Sequence, residues 1–526
     1  MSDSVISPGI LPETPVSMTL VDDMTSVFEP RFARGRTQRN VYADPRWRLK
    51  LRFRGMRDYD RARLRMAIAE TRGKGLALRV SPYQVRRGSF PSTELLTQST
   101  EFTSAAGYTL SSCTLTVADR MLRMRISQNN GTAAAFAQSA SMGLTVGVPY
   151  AMRAAFMTPV NELNASGVYV GSTSEANDYG VGRRGLSTLG RVAESSTDYV
   201  AAVHYANPGH RAGDTVLIPY MSVSRCMLAD VGASSLRYSN QLGNGAAWTS
   251  SNVTITSNDA VSPYGHTSGD DLADKIADTA INAGHVIDQA ISIASSAADV
   301  NFSIALKNGT RGWAFVQLLS SGGSVYTYIN LATGALGAQA TAGTWSLRET
   351  SVMDLGNGWY KVSVGGKKPS GDTTLTARLG LASADNTSTY LGDGSYIYAW
   401  GATLCGQRLA SQLVITTSDT IGYSTQNAGY LAVRGAPAST AGLLLPGDFI
   451  EIAGELKEVV APFDSNSDGT GVISFRPGLG NAVTDNRTPV IVHSPMGRFM
   501  MIGDPEISTM FGMYDEVPLD LLEVYE

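Results

Sequence analysis

Cysteine is scarce in this chain. Three residues in 526, Cys113, Cys226 and Cys405, are too few and too scattered for a disulfide framework. The five histidines lie far apart, so no metal-ligand spacing forms, and neither a metal nor a cofactor is expected. No run approaches the ~20 apolar residues of a membrane-spanning helix. The opening M-S-D-S-V-I-S-P-G lacks the basic patch and apolar core of a signal peptide, which predicts a soluble product made in the cytoplasm. G-x-S-x-G, H-E-x-x-H, the P-loop G-K-[ST] and any Cys with a His close in sequence are also missing, so a non-enzymatic protein is expected.

Glycine is abundant, at 54 residues, with Ser and Thr throughout and 43% apolar residues, a composition of short strands and tight turns. The expected class is mainly β. A chain of 526 residues exceeds what one core usually serves and implies three or four domains. W-R-L-K-L-R-F-R puts Trp47, Leu49, Leu51 and Phe53 on one face of a strand and Arg48, Lys50, Arg52 and Arg54 on the other. Residues 58–74 read as one α-helix, with Asp58 as its cap, Leu64 and Ile68 stacked four apart, and Gly73 or Gly75 at its exit. Comparable alternation returns at Leu443–Val460, read as a hairpin bent at Pro446 and Gly447. These stretches describe one base domain, 1–89 and 410–526, split by an insertion.

The insertion is a repeat. Residues 95–116 align without a gap on residues 235–256, pairing Leu96 with Leu236, Tyr108 with Trp248 and Cys113 with Val253. I-P-Y-M-S-V-S-R-C ends at Cys226 and I-Y-A-W-G-A-T-L-C at Cys405, closing two tandem modules, 90–230 and 231–409. Strands are plainest in the second. Phe302, Ile304 and Leu306 alternate, as do Trp313, Phe315, Gln317 and Leu319; Gly356, Asn357 and Gly358 turn the chain into Trp359 and Tyr360. About eight strands result, the number of a jelly roll, so both modules are expected to be β-sandwiches.

Net charge of −4 hides a polarity: Arg31 to Arg87 holds 18 Lys or Arg against 4 Asp or Glu, and Ser411 to Glu526 holds 5 against 15. The ends can meet within a subunit or head to tail between copies, which makes Arg48, Lys50, Arg52 and Arg54 candidate oligomer-interface residues. A solvated strand face is the plainer explanation. Aromatic residues are sparse among these arginines, so nucleic acid is not an expected partner.

Asp270, Asp271 and Asp274 could pair for glycoside hydrolysis but read better as a polar loop. Asp464, Asn466, Asp468 and Gly469 begin a calcium loop whose closing Glu is replaced by Phe475, leaving a hairpin turn. Five of six tryptophans fall in the second module and none in the first. Stacking on sugar rings needs exposed flat aromatic faces. Trp313, Trp345, Tyr326 and Tyr328 are the candidates for exposure, and hence for glycan binding.

F-E-P-R-F-A-R-G-R-T-Q-R-N-V and P-R-W-R-L-K-L at the front, with G-L-L-L-P-G-D-F-I-E-I-A-G-E-L-K-E-V-V and T-P-V-I-V-H-S-P-M-G-R-F-M at the back, resemble tailed-bacteriophage minor tail proteins of the distal-tail kind. The middle, with S-N-Q-L, A-A-W, P-Y-G and G-N-G-W-Y in order, resembles carbohydrate-binding-type jelly rolls inserted in such proteins. The resemblance implies a virion protein of the tail tip or baseplate, synthesised in the host cytoplasm. It implies a homo-oligomeric ring, trimer or hexamer, that contacts other phage tail proteins and projects modules toward host-surface polysaccharide. The alternative is an extracellular polysaccharide-active enzyme or adhesin with accessory carbohydrate-binding modules.

Overall fold

The computed structural model describes residues 4–6, 17–23, 46–54, 78–81, 86–91, 93–96, 104–106, 108–118, 121–127, 135–139, 142–157, 166–170, 177–181, 184–196, 198–204, 213, 215–231, 234–265, 272–410, 413, 416, 426–427, 429–483, 485–501, 508–509 and 515–523. Among them every regular element is a strand, as the glycine-rich, weakly charged composition implies. The helix expected over 58–74 lies outside the described residues.

The two ends of the chain share a sheet. Its order is Ser4–Ile6, Leu78–Val80, Gly497–Met501, Asp515–Glu523, Arg46–Arg54, Ser17–Asp23. Period two is kept: Trp47, Leu49, Leu51 and Phe53 are buried, while Lys50 and Arg52 are exposed. Arg48 forks onto Asp520 of the neighbouring strand at 2.9 and 2.5 Å. The basic and acidic ends therefore meet within one chain, one of the two arrangements their charges allow.

A second sheet runs Met227–Ala229, Pro489–Ile491, Phe449–Ile452, Glu455–Val459, Gly471–Arg476, Tyr430–Arg434, Gln426–Asn427. Met227–Ala229 also pairs with Tyr430–Arg434, so six of these strands close into a barrel around Leu431, Ile450, Ile452, Ile473 and Val490. Its hairpin turns at Ala453 and Gly454 and not at Pro446 and Gly447; φ values of 51° and 81° give the two left-handed residues of a two-residue turn that suits strand twist. The end sheet packs on this barrel, with the Trp47 indole N–H donating to Leu456 O at 2.9 Å. Met227–Ala229, expected at the end of the first module, pairs instead with barrel strands, so the chain returns to the barrel between the two modules. Each module is thus tethered at both ends.

The first module has two five-stranded sheets around Leu122, Met124, Met152, Phe156 and Val223. In the second, a seven-stranded and a six-stranded sheet enclose Phe302, Ile304, Leu306, Val316 and Leu379. That exceeds the eight strands expected, because short strands such as Thr249–Ser251 and Thr389–Leu391 add to the sheets. Leu96, Tyr108 and Cys113 lie on the first core, and Leu236, Trp248 and Val253 on the second. Asn357 and Gly358, φ 53° and 76°, form the expected turn ahead of Trp359.

Candidate functional site

The strand Trp313–Ser320 runs between Gly323–Asn330 and Thr374–Ala382 in the seven-stranded sheet. Ala314, Val316 and Leu318 fill the core, so Trp313, Phe315 and Gln317 stand on the outer face. Two rows cross neighbouring strands there. One reads Val286, Gly380, Phe315, Tyr328, and the other Asp288, Arg378, Gln317, Tyr326.

The first row is an aromatic floor. A Cβ at Gly380 would collide with the Phe315 ring, so only glycine lets that ring lie on bare backbone. Phe315 and Tyr328 tilt together with centroids 5.2 Å apart, and Tyr326 meets Tyr328 edge-on at 5.8 Å. Trp313 extends the floor sideways, its Cζ3 2.8 Å from where a Gly337 Cβ would be. Beyond it, Asp385 accepts the Ala338 N–H at 2.8 Å and holds the neighbouring loop.

The second row is polar. Arg378 Nε and Nη2 donate to Asp288 Oδ1 and Oδ2, both at 2.7 Å, a two-pronged pair whose side chains are 28% and 25% exposed. Bonding to Asp288 outweighs burial and raises the guanidinium above its usual range. The pair presents fixed donors and acceptors with little net charge.

Of the four aromatic candidates, Trp313 and Tyr326 are half-buried on this face. Tyr328 is only 4% exposed, because Phe315 and Tyr326 cover it; it supports the floor without presenting a face. Trp345 is not on the face at all. Its ring packs in the core over Gly366, and its N–H donates to Ser320 Oγ at 2.8 Å. Phe315, Asp288 and Arg378 were not singled out from sequence. The alternation Trp313, Phe315, Gln317 and the glycine opposite Phe315 were the available signals.

Other sequence candidates have structural roles. Asp274 is buried and accepts the Asn258 and Gly243 N–H groups at 2.9 and 3.2 Å; burial raises its carboxyl despite these bonds. Asp270 and Asp271 lie outside the described residues. The calcium-like turn holds a side-chain cation: Lys361 Nζ sits 2.5 Å from Asp468 Oδ2, both buried, while Thr470 Oγ1 donates to Asp468 Oδ1 at 2.6 Å. Burial pushes Asp468 up, but the Lys361 ammonium and the Thr470 bonds hold it below the usual carboxylate range. Among the described residues no group of three or more His, Cys, Asp or Glu is arranged to hold a metal, and no helix is long and apolar enough to cross a membrane. Arg48 is engaged by Asp520; Lys50 and Arg52 point outward, and of Arg54 only the backbone pairing with Glu516 is described.

No family model matches the chain, and no curated protein matches it. Solved structures similar to it include the N-terminal CBM22-1–CBM22-2 tandem of Paenibacillus barcinonensis Xyn10C, at 11% identity and a TM-score of 0.22, over 62% of this chain and 100% of that one. The tandem CBM51 modules of a family 98 glycoside hydrolase from Streptococcus pneumoniae match at 7% and 0.17, over 55% and 84%. The M60 catalytic domain with two CBM51 domains from Clostridium perfringens ZmpB matches at 10% and 0.16, over 73% of this chain and 43% of that one. TM-scores this low leave the functional reading to the geometry of the site.

Proposed function

We propose that the second module binds a neutral glycan along the outer face of its seven-stranded sheet. The observation that carries this is the half-buried pair Trp313 and Tyr326, backed by buried Phe315 and Tyr328, beside the charge-cancelled Asp288–Arg378 pair. Sugar rings offer apolar C–H faces and hydroxyl edges, and this face supplies stacking surface next to fixed hydrogen-bonding groups. Affinity electrophoresis in gels containing neutral glucans, mannans or galactans tests it. The Trp313→Ala/Tyr326→Ala double variant should lose about tenfold in retention on the retained polymer, two stacking contacts at about 0.7 kcal/mol each. Unchanged retention, with folding intact, would sink the assignment.

The chain as a whole we read as a non-enzymatic structural component of a bacteriophage tail tip, located in the virion. On this reading 1–89 and 410–526 form the ring-building base, and the modules 90–230 and 231–409 project toward host polysaccharide. Support comes from the order of the sequence motifs at both ends and from the pairing of those ends in one sheet. Lys50 is exposed on that sheet and faces where a neighbouring copy or another tail protein would approach. Mass photometry at low and high salt should reveal discrete trimers or hexamers that salt weakens. A monomer at every concentration and salt would count against the ring.

A further inference from the structure

The opposite outer face of the second module has a different chemistry. On the six-stranded sheet, Tyr398 is flanked in register by Lys275 on one neighbouring strand and Lys307 on the other. Lys275 Nζ lies 4.2 Å from the centre of the Tyr396 ring, and Tyr396 meets Tyr398 edge-on at 5.4 Å. Lys307 Nζ lies 5.9 Å from the ring of Trp359, which is itself buried and walls that side. The two lysines are two strands apart, ~10 Å between backbones, about the length of a disaccharide.

What distinguishes these lysines is that their charge is uncommitted. Elsewhere on the module Arg311, Arg348, Lys361, Lys367 and Arg378 each face a carboxylate within 4 Å, and Arg237, Lys368 and Arg408 donate to backbone carbonyls. Lys275 and Lys307 have no such partner among the described residues and rest against aromatic rings. A ring face holds an ammonium in place while leaving donors directed outward. Asp259 is the nearby acidic group: burial, the bond to Tyr396, and the charges of Tyr396 and Asp259 raise the Tyr398 phenol, which stays a neutral donor.

We propose that this face is a second, independent site, and that its ligand is an acidic polysaccharide carrying ring carboxylates. A sugar ring would stack on Tyr398 while Lys275 and Lys307 take carboxylates on either side. The neutral-glycan face lies on the other sheet, so neither site requires the other.

Affinity electrophoresis of the full chain in polygalacturonate gels, with a neutral-glucan gel alongside, tests the assignment. Wild type should be retarded by polygalacturonate. Lys275→Gln/Lys307→Gln should lose at least tenfold in affinity, Tyr398→Ala should lose several-fold, and Lys275→Arg/Lys307→Arg should retain binding, which separates lost charge from lost folding. Trp313→Ala/Tyr326→Ala should leave polygalacturonate retention untouched, whatever it does to neutral glycans. No retardation of wild type, or full retention by the Lys→Gln double variant, overturns the site. Loss in the Lys→Gln variant with none in Tyr398→Ala also overturns it, because bare charge attraction would then suffice.

Discussion

The two modules are both two-sheet sandwiches, yet they use their outer faces in opposite ways. The first turns an outer face toward the barrel. Arg153, completely buried, donates to Glu451 at 3.2 Å, to Ser494 O at 3.1 Å and to His493 O at 2.9 Å, while Ala155 and Tyr220 pack on Met496. Its neighbour Ala151 joins Cys226, Leu228 and Ile491 in a further apolar contact. A face occupied this way has none left for a ligand on that side. The second module meets the barrel near one edge, through Lys361 with Asp468 and Ser467 with Val352, and leaves its seven-stranded sheet's outer face with aromatic groups at the surface. One module is docked by a face, and the other is held by an edge. Two sandwiches can differ in this way because the core residues of a sandwich and the residues on its outer faces alternate along the same strands, so one set changes without the other.

If docking by a face is what fixes the first module, then the most damaging single change outside the cores is Arg153→Met. It leaves Glu451 buried without its cation and strips two backbone carbonyls of their donor. A loss of about 3–5 kcal/mol is expected in chemical denaturation. Arg153→Met/Glu451→Leu should recover much of it, because burying neither charge is cheaper than burying one. If both variants cost under ~1 kcal/mol, the face is not docked and the contrast between the modules fails.

The edge-held module should respond instead to pH. Glu349 lies at its junction with the base, where it accepts the Ala410 N–H at 3.2 Å. Burial, opposed by that bond and by Arg408 and Lys361 and reinforced by Asp468, raises its carboxyl to about 7. A carboxyl raised in the folded chain binds protons that the unfolded chain has already released between pH 4.5 and about 7. Stability should therefore fall as pH rises through that window, by up to about 3 kcal/mol, and level off above it. Glu349→Gln should flatten that part of the slope in melting temperatures recorded from pH 4.5 to 8. Glu523, raised to about 7 mainly by burial in the end sheet, supplies a similar slope of its own. The Glu349 contribution is thus the difference between wild type and variant. An identical slope in the two would remove pH control from the junction.

These contrasts explain which parts of the chain could be read in advance. The buried stripe Trp47, Leu49, Leu51 and Phe53 was legible because period two alone fixes which side chains share a face, and the Arg residues between them say which face is wet. The same rule was mute at Trp313–Leu319. Alternation separated Trp313 and Phe315 from Ala314 and Val316, but it could not say which set faced inward. The structure puts the small set inside because Phe315 needs the open backbone of Gly380, on a strand 65 positions later. Trp345 was misplaced because a lone aromatic residue between a turn and a strand has no alternating partner to define its face. Met227–Ala229 ended a repeat in sequence while belonging to the barrel in space, since aligned termini carry no information about sheet membership. Arg153 could not be picked out, because the carboxylate that neutralises it lies 298 residues away.

The smallest effect concerns the meeting of the two chain ends. Arg48 and Asp520 make an ion pair as short as the buried ones, but their side chains are 35% and 33% exposed, so water and salt share the work of neutralising them. The bond to Arg48 holds Asp520 below the usual carboxylate range, yet a pair this open is worth little: Arg48→Ala should cost under about 1 kcal/mol, and 0.5 M salt should erase most of that. Set against Arg153→Met, the same type of pair would then differ several-fold in consequence through burial alone. A loss at Arg48 that matches Arg153 and persists in salt would mean that the end sheet depends on its charges more than on Trp47, Leu49, Leu51 and Phe53 beneath them. The apolar stripe would then no longer be what joins the N-terminal strand to the C-terminal one.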